Sequence, residues 1–313
     1  MISRSLGVEA GAMIGTITYF SMCVLNSLNI VGAAEGVIDI IKTPIIDGGI
    51  NDVRLVSIFL LMIIAIIPLF GMGWEAKTHW AMFCLLVAAL FDYAFGTIFD
   101  ITPQKQERGL TGWNMTVIKA NLWPDYQYGE DFYSVIAVFF PMVTGIFAGS
   151  GMSGDLRDPS KAIPRGTIWS IVTSSASYIL VVIFLGCSFV RYGDTKGNLF
   201  LHYQDVCANP ADCPNGLVND YHTMTVTSLH RFLIYAGIFI SAISSSLAVY
   251  VAAPRMFQAF SRDRLFPYVE WFGKGHGKHN EPYRGYIITF TISLVFCLVG
   301  KQLSFNRKKT SRN

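Results

Sequence analysis

Apolar residues run through the chain in seven blocks, near positions 10–33, 55–73, 80–98, 132–150, 167–190, 231–252 and 285–300. Each is close to the length at which a helix crosses a hydrocarbon core of roughly 30 Å, about 20 residues. With no water at that depth, backbone amides and carbonyls must be satisfied within the helix. The pattern therefore predicts an all-α membrane protein of about seven transmembrane helices, one transmembrane domain over residues 1–301 and a basic tail at 302–313. The opening Met-Ile-Ser-Arg-Ser has no cleavage-type motif, and Glu9 sits inside the first apolar edge, so it does not read as a signal peptide.

Three blocks carry residues that lipid-facing sequence would not need. The fourth runs into "FFPMVTGIFAGSGMSGDLRDPSKAIPRGT", residues 139–167. Pro141 lacks an amide proton and its ring clashes with the carbonyl of Ala137, so a helix bends or opens there. Irregular backbone at membrane depth survives only where it is buried in protein or lines a cavity. If the helix unwinds over 141–145, its freed carbonyls and the Thr144 hydroxyl are oxygen ligands for a cation. The amides of Gly145, Ile146 and Phe147 would then present a positive helix end to an anion. The alternative is packing: prolines kink many membrane helices, and Gly145 with Gly149 forms a GxxxG pair that admits a neighbouring helix. The sixth block, "GIFISAISSSLAVYVAAP", gathers Ser241, Ser244, Ser245 and Ser246 near its middle. Hydroxyls are hard ligands suited to a small cation, and also serve as small packing residues that bond back to the preceding turn. In the first block Asn26 and Asn29 stand a turn apart, as interhelical bonds or as the lining of a polar cavity.

Composition supports the membrane reading: 52% of residues are hydrophobic and 14% charged, against about a quarter charged in soluble domains. The net charge of +3 is spread over loops, with no basic aromatic patch for nucleic acid. Lys and Arg set orientation. Arg157, Lys161 and Arg165 follow the fourth block, and Arg255, Arg262, Arg264, Lys274, Lys278 and Arg284 follow the sixth, so both loops are expected in the cytoplasm. The N-terminus is then inside and segments 34–54, 99–131 and 191–230 outside. That side suits the glycosylation sequon at Asn114 and a disulfide between Cys207 and Cys213. Cys23, Cys84, Cys187 and Cys297 lie in or beside spans and read as buried small hydrophobes. The long segment 99–131 is expected to form an external cap, and the start of 254–284 to lie along the membrane interface. One feature conflicts: seven spans put the tail outside, although it holds Lys301, Arg307, Lys308, Lys309 and Arg312. Either the seventh segment is not fully inserted or the sequence after about residue 301 is not the native continuation, and the odd span count with an abrupt basic end favours the second. A seven-helix receptor, with its N-terminus outside, does not fit. His276 and His279 have no partner completing a metal site, and no nucleophile set or phosphate loop is visible, so neither an enzyme nor a cofactor is expected.

The 139–167 stretch resembles the sixth-helix signature of the cation-chloride cotransporters, solute carrier family 12. "SLGVEAGAMIG" and "VGAAEGV" around the first span and "AAPRMFQAFSRDRLFP" after the sixth agree in order and spacing, over roughly residues 3–300. The resemblance implies the inverted-repeat fold of the amino acid, polyamine and organocation transporters, here running from the family's third helix to its ninth. Carried over, Pro141 and Thr144 match potassium-site positions, Gly145, Ile146 and Phe147 the second chloride site, and Ser244 and Ser245 the sodium-binding serines, with Ser241 one turn before them. Asn29 falls where potassium-dependent members have a tyrosine. These correspondences imply sodium-coupled chloride cotransport, of sodium-chloride or sodium-potassium-chloride type, in the plasma membrane. Membrane lipid and inorganic ions (sodium, chloride and, with the departure at Asn29, potassium in question) are the expected partners. A homodimer or pairing with full-length relatives is also implied. The missing family helices make a truncated, non-transporting product one alternative, and an amino acid permease of the same superfamily is another.

Overall fold

The computed structural model describes residues 7–41, 44, 46, 49–70, 72–126, 131–139, 156, 158–193, 199–200, 213–220, 223–263, 269–276 and 280–299. Helix α1 covers Val8–Ile41, longer than the apolar block that announced it. Nothing between Gly32 and Ile41 breaks a helix, and the first proline is Pro44, so α1 takes up part of the expected loop 34–54. Helix α2, Ile50–Ile66, passes into a short 3-10 turn, Ile67–Phe70, that contains Pro68. Helix α3, Met72–Phe99, starts well before the expected position 80. The short helices α4 (Pro103–Gln106), α5 (Met115–Leu122) and α6 (Phe132–Phe139) follow. Helix α7, Pro159–Ser188, begins with proline in its first turn, where the missing amide costs nothing. It thereby makes helix of a charged segment expected as loop. After it come a two-residue antiparallel ribbon, β1 (Tyr192–Gly193) and β2 (Leu199–Phe200), and helices α8 (Thr223–Thr227), α9 (Arg231–Arg262) and α10 (Tyr283–Val299).

Four described helices are long and apolar enough to cross a membrane, within α1, α3, α7 and α9. Helices α2 and α10 have 17 residues each, at the short end of the spanning range of about 17–25. The expected fourth span is described only as α6, and the basic tail lies outside the described residues.

The chain divides into two compact units. The first comprises Met1–Phe83, Phe147–Pro164 and Ile238–Asn313; the second, Cys84–Ile146 and Arg165–Gly237. In the first, α1, α2, α9 and α10 share a core of Ile30, Ala33, Ala34, Leu60, Leu61, Ile64, Leu247, Tyr250 and Tyr286. On α2 the buried positions Val53, Val56, Leu60, Leu61 and Ile64 recur every three or four residues, the spacing of one helix face. The opposite face, Leu55, Phe59, Met62 and Ile66, is apolar and exposed, as a lipid-facing stripe must be. On α10 the buried residues Gly285, Thr289, Ser293 and Cys297 recur every fourth position, a small-residue stripe that lets helices approach closely.

Helix α9 continues to Arg262 through Pro254, so residues 254–262 prolong the helix of the sixth block and do not begin a separate element. Gly285 on α10 packs against that proline; a Cβ at Gly285 would sit 3.0 Å from the Pro254 Cβ. The chain then folds back on the last turns of α9. Arg255 Nη2 meets Glu281 Oε1 at 3.3 Å, Gln258 donates to Asn280 O at 3.1 Å, and Arg262 Nε to Gly273 O at 3.0 Å. The Arg284 guanidinium lies 3.8 Å over the Trp271 ring. His276 pairs through its backbone with Glu281 in the same turn, and His279 lies outside the described residues.

In the second unit, segment 99–126 is an ordered cap over the end of α7. The last carbonyls of a helix lack intrahelical donors, and here they receive them from the cap. Asn121 Nδ2 donates to Gly186 O and Phe189 O, both at 2.8 Å, and Thr111 N to Ser188 O at 2.8 Å. Lys105, 8% exposed, spans Asp100 Oδ2 and the Ser228 carbonyl at 2.5 and 2.7 Å. That hydrogen bond holds the Asp100 carboxyl below its ordinary value of 3.8. Buried Asp92 accepts from His230 N at 3.1 Å and so caps the start of α9 from another helix. Cys213 is buried and disulfide-bonded; Cys207 lies outside the described residues. Among the other cysteines Cys23, Cys187 and Cys297 are buried, but Cys84 is exposed. Leu85 beside it is exposed too: a span position facing lipid is apolar without being covered by protein.

Candidate functional site

The sixth apolar block becomes a stretch of α9 that stays helical across Ser241–Ser246, so any ligand oxygens there come from side chains. The four serines do different things. Ser241 donates to its own helix, to Ile238 O at 2.8 Å. Ser246 is fully buried and donates to Asn26 Oδ1 on α1 at 2.5 Å. Ser244 is half-buried and bonds the ring Nδ1 of His79 on α3 at 3.0 Å. Ser245 is exposed.

The contact of Ser246 with Asn26 belongs to a polar layer that crosses three helices. Asn26 Nδ2 donates to Ser293 Oγ on α10 at 3.0 Å, and the Ser27 hydroxyl is shared between Cys23 O at 3.0 Å and Ser293 O at 2.9 Å. One layer further along α1, Tyr19 and Thr289 hydroxyls meet at 3.1 Å. Asn26, Ser246 and Ser293 are all fully buried. Asn26 is therefore an interhelical bond rather than the wall of a cavity: one amide donor and its oxygen are both engaged. Asn29, three residues on, is half-buried.

This layer separates serines that the sequence presents as one cluster. Ser246 is fully buried in the packing layer, whereas Ser244, on the turn beside it, is half-buried and Ser245 is exposed. Pro141, Thr144, Gly145, Ile146 and Phe147 lie outside the described residues, as does the GxxxG pair. His79 is the residue that sequence reading missed. An expected span start at 80 left it in a loop, while α3 carries it two turns inside a helix. Its signal was a histidine at the edge of the apolar run, next to Trp80.

The asparagine of the sequon, Asn114, is exposed at the N-cap of α5, where its Oδ1 accepts from Thr116 N at 2.9 Å. The side-chain nitrogen that would carry a glycan takes no part in that cap.

Residues 1–306 match the amino acid permease family. The chain is 37% identical to solute carrier family 12 member 2 of Mus musculus, over 96% of this chain and 26% of that protein. It is 35% identical to solute carrier family 12 member 3 of Pseudopleuronectes americanus, over 96% of this chain and 31% of the relative. A bumetanide-sensitive sodium-(potassium)-chloride cotransporter of Manduca sexta is 37% identical, over 96% and 30% respectively. The chain thus spans between a quarter and a third of the length of these curated relatives.

Proposed function

The chain belongs to the amino acid permease family and, within it, to the solute carrier family 12 cotransporters, and on that premise we propose that it serves sodium-coupled chloride transport across the plasma membrane. This is a family of multi-pass membrane transporters, not of enzymes. In the proposed arrangement Ser244 and Ser245, with Ser241 one turn before, supply oxygens to sodium, and the amides of Gly145, Ile146 and Phe147 receive chloride. Pro141 and Thr144 stand at the positions of a potassium site. Asn29 lacks the phenol that the resemblance implies for potassium-dependent members, which favours a sodium-chloride type over a sodium-potassium-chloride type. Alternating access carries the ions. The observation that carries the sodium reading is the difference in cover among the serines: Ser246 is fully buried against Asn26, while Ser244 is half-buried and Ser245 exposed.

Chloride-36 uptake by cells producing the protein that carries this segment tests the reading. Uptake should require sodium, be indifferent to external potassium, and fall to background in the double variant Ser244→Ala with Ser245→Ala. Sodium-dependent uptake that survives the double substitution overturns the sodium assignment. The match to amino acid permeases supports a second reading, with an amino acid as cargo on the same fold. Saturable uptake of labelled amino acids without any of chloride would establish it instead.

A further inference from the structure

His79 and Ser244 meet across two helices of the first unit, Nδ1 to Oγ at 3.0 Å. Trp80 and Phe83 on the same stretch of α3 are exposed, 66% and 52%, so that face points away from protein, and His79 is half-buried. A serine oxygen has one proton and two lone pairs. To face a cation the hydroxyl must aim its proton elsewhere, and that proton needs an acceptor. On a helix the usual acceptor is a carbonyl of the preceding turn, which is the arrangement Ser241 shows. Ser244 has a different one. With the imidazole proton on Nε2, Nδ1 takes the Ser244 proton and both oxygen lone pairs are free on the side away from α3.

We propose that His79 is a positioning residue for the cation site: it orients the Ser244 hydroxyl so that its oxygen faces sodium. This rests on the assignment of Ser244 to sodium made above. In the opposite tautomer Nδ1–H would donate to the same oxygen and occupy a lone pair, so the imidazole's proton position sets how good a ligand Ser244 is. The residue acts through Ser244 and does not itself touch the ion.

The test is sodium-22 binding by scintillation proximity, on the purified protein, with N-methylglucamine as the replacement cation. His79→Phe keeps a ring and removes the acceptor; it should raise the half-saturating sodium concentration about 3- to 10-fold, the range for one lost hydrogen bond. Chloride dependence should not move. His79→Asn, whose side-chain oxygen falls near the Nδ1 position, should restore sodium affinity to within about twofold. A residue that merely supports the fold would lower the amount of binding-competent protein without moving the sodium half-saturation. An unchanged sodium affinity in His79→Phe, with binding lost in Ser244→Ala, overturns the role of His79 and leaves the sodium reading standing. Unchanged sodium binding in Ser244→Ala, or none in the unmodified protein, overturns both. Nitrogen-15 spectra of histidine-labelled unmodified protein give a readout that needs no folded His79→Phe. Sodium, unlike N-methylglucamine, should shift the His79 Nδ1 resonance, assigned by its loss in His79→Asn, and no shift overturns the proposal.

Discussion

Ser246 and Asn26 are 220 positions apart and both fully buried, and each supplies what the other needs. The serine proton goes to the amide oxygen, and the amide nitrogen goes on to Ser293. Hydrogen bonds within membrane bundles contribute about 0.6 kcal/mol on average. Stranding a buried partner costs about 1–3 kcal/mol. Asn26→Leu strands the Ser246 hydroxyl, while Ser293 Oγ keeps its bond to Cys23 O at 3.3 Å, and should lower stability by about 2 kcal/mol, seen as a lower unfolding midpoint in detergent. Asn29→Leu, one turn on at a half-buried position, should change it by less than about 0.5 kcal/mol. Equal losses at both would show that the layer is not what holds these helices. The serine cluster itself was legible in the sequence, since four hydroxyls in six positions of an apolar run stand out. Its division into one fully buried serine and two less buried ones was not, because that depends on which side chain another helix brings to each one.

Among the elements, α3 comes into close contact with the turn after α8 in the second unit. Gly96 on α3 lies directly on backbone: a Cβ there would sit 2.3 Å from Thr227 O and 2.4 Å from Leu229 N. Backbone cannot swing aside as a side-chain tip can, so Gly96→Ala must push the segment away. The bond from Lys105 to Ser228 O and the cap of Asp92 on His230 N lie in that segment. Gly96→Ala should therefore destabilise the second unit by about 1–3 kcal/mol and speed amide exchange at 228–230. Gly166→Ala, at a glycine with open space where the Cβ would go, is the control and should be neutral or slightly stabilising. Unaltered exchange in Gly96→Ala would mean that the contact is loose. Element type was readable from apolar length, but element ends were not. Helix α3 runs back to Met72 and α7 to Pro159 because charged residues in a helix's first turns are compatible with its backbone bonding, whereas an apolar count stops at them.

For the whole molecule, the expected orientation rests on the placement of Lys and Arg, and Asn114 offers a check on it. Thr116→Ala removes the sequon but keeps the cap, which uses the Thr116 backbone amide and not its hydroxyl. If segment 99–131 is external, the unmodified protein should run faster on a gel after glycosidase treatment, and Thr116→Ala should run at that faster position untreated. No shift in the unmodified protein would count against the assigned side. The sequence by itself determined that the chain belongs in a membrane, that it is helical, and to which transporter family it belongs. Hydrophobic length and ordered local motifs are properties of consecutive residues and survive without coordinates. Which side of each helix faces protein was decided only by the tertiary structure. In lipid the outer face is as apolar as the inner one, so alternation of polar and apolar residues no longer marks the core. On α2, Leu60 and Leu61 are buried while Phe59 and Met62 are exposed; nothing in that run of side chains distinguishes them. The same reason hid the partnership of His79 with Ser244, 165 positions apart. It exists only because two helices lie side by side in the first unit and meet at that turn.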